Sequence, residues 1–198
     1  MRIGILGAGQ LATAFAHRAL AAGHEVVLSS RRGATPLDNT VRALGDGAHA
    51  GTPYQASQEE TVVLAVPGPA VEIALASAGP WDGRTLVDAT NHLSAPSPLL
   101  PGELSTSECV AERAPGAHVV KALNTLLAHV LASRPRLPDG SRRVLFVSGD
   151  DLPSKDAFRG LLENMGYATI DLGGLAGGSR LQQFPGGALA GVNLLRTS

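Results

Sequence analysis

GILGAGQLATAFAHRALAAGHEVVLSSRRG, residues 4–33, decides how the rest of the chain is read. The apolar run Ile3-Gly4-Ile5-Leu6 has the length and composition of a short buried strand. Gly7-Ala8-Gly9-Gln10-Leu11-Ala12 then supplies a turn, and an alanine-rich helical segment runs to Ala22 before Gly23 ends it. A second apolar run, Glu25-Val26-Val27-Leu28-Ser29, closes a strand–helix–strand unit of about 30 residues. The glycine spacing is G-x-G-x-x-A, the fingerprint of a dinucleotide site. Gly7 lets the chain turn, Gly9 lets a pyrophosphate approach the backbone without a Cβ in the way, and Ala12 keeps the helix close to the strand. The unpaired N–H groups at the helix start then face the phosphates. The stretch is not a secretory leader, because glycines, Gln10 and Arg18 interrupt the apolarity that one needs.

The end of the second strand chooses the dinucleotide. A carboxylate there accepts hydrogen bonds from a ribose 2′-hydroxyl and repels a 2′-phosphate. This chain has Ser30, Arg31 and Arg32 instead. A guanidinium is a permanent charge with a fixed fork of donors, and a serine adds a hydroxyl donor. The expected ligand is therefore NADP(H) rather than NAD(H). The alternative for Arg31, and still more for Arg32, is an ordinary solvated surface charge.

Downstream the pattern keeps alternating. Strands are expected at 60–67, 83–93, 116–125, 144–151 and 167–172. Helices are expected from Ala70, over 106–114 with Ser105 or Thr106 as cap, over 126–133, and from Asp150 or Asp151 to about Met165. A surface turn at 134–143 and a glycine-rich loop at 173–191 complete the map. Such alternation calls for an α/β, Rossmann-like, doubly wound and mostly parallel sheet. The chain reads as one domain, residues 1–198, with its core at about 1–133. A short C-terminal extension, 143–198, carries a strand–helix–strand and the glycine loop. Hydrophobic residues make up 44% of the chain and the net charge is −1, so nothing suggests a nucleic-acid surface. One cysteine, Cys109, allows no intrachain disulfide and no multi-thiolate metal site. His92, His118 and His129 lack metal-ligand spacing. The longest apolar stretch, 119–132, contains Lys121, Asn124 and His129 and is too short to span a bilayer. A cytoplasmic enzyme domain fits this composition.

Ligands of doubly wound sheets lie across the carboxyl ends of the strands. Val66 and Pro67 would flank the nicotinamide ribose, although Pro67 also serves simply to end its strand. Asn91 is a candidate for the nicotinamide ribose or carboxamide, or else a turn residue. Asn124 faces the substrate or caps the next helix. No general acid or base stands out. His92 would suit a carbonyl or imine substrate, and Asp88 is read as a local hydrogen-bonding group.

The order of "VVLAVP" (62–67), "VVKALNT" (119–125), "VSGDD" (147–151) and "IDLGGLAGGSRLQ" (170–182) after the opening unit resembles the NADP-dependent coenzyme F420 oxidoreductase family. That family's dinucleotide-binding domain is shared with the STEAP metalloreductases, and the resemblance spans essentially the whole chain. It implies hydride transfer between NADPH and the deazaflavin F420. It places cofactor contacts on Ala8, Gly9, Gln10, Leu11, Ser30 and Arg31, with further ones from Val66, Ala70, Asn91 and Ala128. The glycine loop with Arg180 would form part of the second-substrate pocket. Thr35 stands where some relatives carry a basic residue towards the 2′-phosphate. Three functions compete: an oxidoreductase using F420 or a flavin, an NADPH-dependent reductase of a small imine, carbonyl or quinone, and a non-catalytic NADP(H) sensor. The apolar segment "ALAGVNLL" (188–195) is a candidate surface for a second copy of the chain, making a homodimer.

Overall fold

The computed structural model describes residues 1–91 and 102–197. The opening unit consists of β1 (Arg2–Leu6), α1 (Gln10–Ala21) and β2 (Glu25–Ser29). β1 and β2 are parallel, with Ile3 opposite Val26 and Ile5 opposite Leu28, all four fully buried. α1 turns Ala12, Phe15, Ala16 and Ala19 towards the sheet at three- and four-residue spacing. Three of those four are alanines, so the helix lies close to the strands, and Phe15 reaches Phe158 across the core.

Residues 34–59, from which the sequence pattern yields no element, form α2 (Asp38–Leu44), β3 (Ala48–Gly51) and α3 (Pro53–Ala56). β4 (Thr61–Leu64) follows, then a 3-10 turn and α4 (Val71–Ala76), then β5 (Thr85–Asp88). α5 (Thr106–Arg113) starts on a capping box in which Ser105 and Glu108 satisfy each other's backbone N–H groups. β6 (His118–Lys121), α6 (Ala128–Ala132), β7 (Arg142–Gly149), α7 (Leu152–Asn164) and β8 (Ala168–Asp171) come next. Asp151 caps α7 through the Ser154 N–H. A π-helical turn at Leu175–Ser179 leads into α8 (Arg180–Gln182), and β9 (Leu195–Arg196) ends the described chain.

The strands lie in the order β3-β2-β1-β4-β5-β6-β7-β8, with β9 paired to β7. β1 to β6 are all parallel. The order reverses between β1 and β4, and a crevice opens there at the carboxyl ends. β7 departs from the parallel arrangement and runs antiparallel to β6, with Lys121 opposite Ser148. α6 has only five residues, about 7 Å at 1.5 Å each.

Two other expectations are corrected. Among the described residues, the apolar runs at 83–93 and 116–125 give only four strand residues each. Asp88 hydrogen-bonds the Thr90 N–H and bends the first, while Leu123 takes φ +67° and breaks the second. The glycine-rich segment after β8 is a loop only in part, since Leu175–Ser179 is a π-helical turn running into α8. Leu175, Gly178, Ser179, Gln182 and Gln183 are buried in it. The candidate surface at 188–195 partly folds back on its own chain, since Leu195 pairs with Arg143 of β7. Among the described residues, no helix is long and apolar enough to cross a membrane.

Candidate functional site

The β1–α1 turn is built around two glycines with different jobs. Gly7 has φ +126°, and a Cβ there would lie 2.3 Å from the Ala65 carbonyl oxygen, so the fold itself requires glycine. Gly9 has an ordinary backbone, and a Cβ on it would meet nothing within 4 Å. The space above Gly9 is therefore open to a ligand. No side chain caps α1 and its first turn holds no acid. The N–H groups of its first turn, with the partial positive charge of the helix start, are left for an anion.

That turn forms one wall of a cleft of about 500 Å³ at the β1/β4 crevice. The cleft gathers Gly7, Ala8 and Gly9 from the turn, Ser30, Arg31 and Arg32 from the end of β2, and Val66, Pro67 and Ala70 from the segment after β4. The Arg32 N–H donates to Ser30 Oγ at 3.2 Å, which leaves the hydroxyl proton available. Among the described residues, neither Arg31 nor Arg32 has an ion-pair partner, and both are exposed. Thr35 opens a 3-10 turn just beyond them. Sequence reasoning missed the apolar part of this cleft, Pro36, Leu37, Pro53 and Ile73. Ile73 leaves 52% of its surface exposed. No motif marks these positions, since they come from the 3-10 turn at Thr35–Leu37, from α3 and from α4.

Other expected residues lie elsewhere. Gln10 and Ala128 line a separate shallow depression between α1 and α6. Leu11 packs against the core, and neither Gln10 nor Leu11 is among the residues that line the cleft. Asn91 and Asn124 meet at the ends of β5 and β6. Asn91 Nδ2 donates to the Asn124 carbonyl and Asn124 Nδ2 donates to Asn91 Oδ1, each at 3.0 Å. Asn124 also donates to the Gln182 carbonyl at 2.7 Å. It caps no helix, because Leu127 precedes α6. Arg180 donates to the Glu103 carbonyl and lies 4.0 Å from the Glu108 carboxylate, so it ties α8 to the start of α5. His92 lies outside the described residues.

Beneath this node sits a buried charge pair. Lys121 Nζ is 3.1 Å from Asp88 Oδ2 and 2.6 Å from the Thr90 carbonyl. Asp88 also accepts from the Thr90 N–H and hydroxyl and from Ser107. Burial pushes the Asp88 carboxyl up, but Lys121 and these hydrogen bonds outweigh it and hold the group below the ordinary Asp value. The pair clamps the loops that carry Asn91 and Asn124. A lone lysine inside the apolar run VVKALNT is the signal that sequence reasoning passed over. Gln182 had no signal of its own.

In sequence and fold the chain is similar to known proteins. Residues 2–92 match the family described as NADP oxidoreductase, coenzyme F420-dependent. A structure of a hypothetical protein from Sinorhizobium meliloti superimposes with a TM-score of 0.89 at 35% identity, over 100% of this chain and 96% of that one. A candidate F420-dependent NADP-reductase from Arthrobacter sp. FB24 gives 0.70 at 28% identity, over 88% of this chain and 86% of that one. The chain belongs to this family. It is also 31% identical over 188 residues to the metalloreductase STEAP3 of Rattus norvegicus, across 93% of this chain and 36% of that protein. It thus spans about a third of that relative's length.

Proposed function

We propose that this family member is an NADP(H)-dependent oxidoreductase that passes a hydride between NADPH and coenzyme F420 or a flavin. The observation carrying the cofactor half is the end of β2. Ser30, Arg31 and Arg32 enter the cleft there with no carboxylate among them, opposite an uncapped helix start. The open space over Gly9 fits a pyrophosphate. Bound NADPH supplies the hydride chemistry. The α1 N–H groups hold the phosphates, Arg31 pairs with the 2′-phosphate, and Val66 with Pro67 bounds the ribose next to the nicotinamide. The carboxyl ends of β5 and β6 orient the reacting ring and keep water from it.

The acceptor half rests on the family match and on the Arthrobacter neighbour's description. Arg180 stands on the acceptor side of this reading, with the rest of its guanidinium meeting an acidic tail. Hydride transfer between stacked rings needs no proton relay, and the reading assigns none. The test is stopped-flow absorbance of NADPH oxidation with F420, with FMN, with a panel of small carbonyls and imines, and with no acceptor. Turnover with F420 or FMN supports the proposal. Turnover only with the panel makes the protein a small-molecule reductase, and binding without turnover makes it a sensor.

A further inference from the structure

Two buried side-chain oxygens at the β5–β6 end have no hydrogen-bond donor, Asn124 Oδ1 and Gln182 Oε1. Both residues are at least nine-tenths buried. A buried acceptor without a donor is costly, and where one persists it is commonly completed by a ligand or an ordered water. Turning over the Asn124 amide does not remove the defect. Its nitrogen already serves two acceptors, Asn91 Oδ1 and the Gln182 carbonyl, and exchanging the atoms would set oxygen against both. Gln182 Nε2 donates to Ser148 Oγ at 2.8 Å; a hydroxyl both donates and accepts, so this contact fixes where the amide lies and leaves one of its two polar atoms without a partner in either orientation. The node is also built under strain. Leu123, immediately before Asn124, is a buried non-glycine residue at φ +67°, a conformation that clusters at ligand sites.

The geometry points to Asn124 and Gln182 as the pair that receives the carboxamide NH₂ of the nicotinamide, an inference resting on the NADP(H) reading above. Two acceptors require two N–H donors, and a primary carboxamide carries two on one nitrogen. Asn91, the sequence candidate for that contact, is engaged through both its oxygen and its nitrogen with Asn124. Its part is to hold Asn124. Gln182 comes from α8, beyond the six parallel strands. The C-terminal extension then contributes directly to the nicotinamide end of the site and sets how the ring is turned.

The experiment compares NADPH with its reduced 3-acetylpyridine analogue, in which a methyl replaces the carboxamide NH₂. Dissociation constants are measured by calorimetry on the full chain and need no acceptor. The wild type should bind NADPH at least about tenfold tighter than the analogue. Gln182→Met should weaken NADPH about tenfold and the analogue less than threefold. Equal wild-type affinities would overturn the inference, and so would a Gln182→Met loss that falls equally on both ligands, the mark of a merely structural role. The wild-type comparison stands even where the variant fails to fold. Failure of the wild type to bind either ligand would instead overturn the NADP(H) reading, and this inference with it.

Discussion

Asp88 and Lys121 are register partners on adjacent parallel strands, and their side chains form an ion pair sealed from solvent. Removing one member of a buried pair leaves the other charge uncompensated, at a cost of about 3–5 kcal/mol, whereas replacing both with apolar groups is far milder. Lys121→Met should therefore lower stability by about that amount in urea denaturation. The double variant Asp88→Leu with Lys121→Met should recover much of the loss.

The same pair makes stability depend on acid. A carboxyl held below its ordinary value of 3.8 contributes fully above that value, and the contribution is lost as pH falls through the lowered value. Denaturation measured at pH 7 and at a series below pH 4 should show the wild type weakening. Asp88→Asn should begin less stable at pH 7 and lose less on acidification.

Gly7 and Gly9 should separate folding from binding. Gly7→Val places a Cβ against the Ala65 carbonyl and should destabilise the protein outright. Gly9→Val meets no protein atom near its Cβ, so its melting curve by circular dichroism should stay close to wild type while NADPH binding is lost. A folded Gly9→Val that binds NADPH normally would contradict the assigned phosphate position.

These glycines also show what the sequence could tell. The turn, its flanking strands and the caps at Ser105 and Asp151 are local signals, written in spacing and residue type, and they appear where expected. β3 was silent because Ala48-His49-Ala50-Gly51 is only four residues long and contains no β-branched or aromatic strand former. The reversal of β7 was silent because strand direction follows from how the chain crosses the sheet, which apolar patterning does not record. The Asn91–Asn124–Gln182 node joins residues up to 91 positions apart, and only the folded sheet brings them together.

Tyr167 anchors the start of β8 to α6, its hydroxyl donating to the Leu131 carbonyl at 2.6 Å. Burial raises its pKa to about 12. Its contribution to stability is complete below the ordinary 10.0 and declines as pH rises through about 12. Tyr167→Phe should cost about 1–3 kcal/mol at neutral pH, because it leaves a buried carbonyl unpaired. It should also remove this alkaline step, read by tyrosinate absorbance alongside thermal melts.

The central claim is that the end of β2 selects a 2′-phosphate, and calorimetric titration of one preparation with NADPH and with NADH tests it most directly. Charge-assisted hydrogen bonds contribute about 1.5–3 kcal/mol each, so NADPH should bind at least about tenfold tighter. Arg31→Ala should weaken NADPH and leave NADH almost unchanged. Equal dissociation constants for the two nucleotides in the wild type would contradict the account.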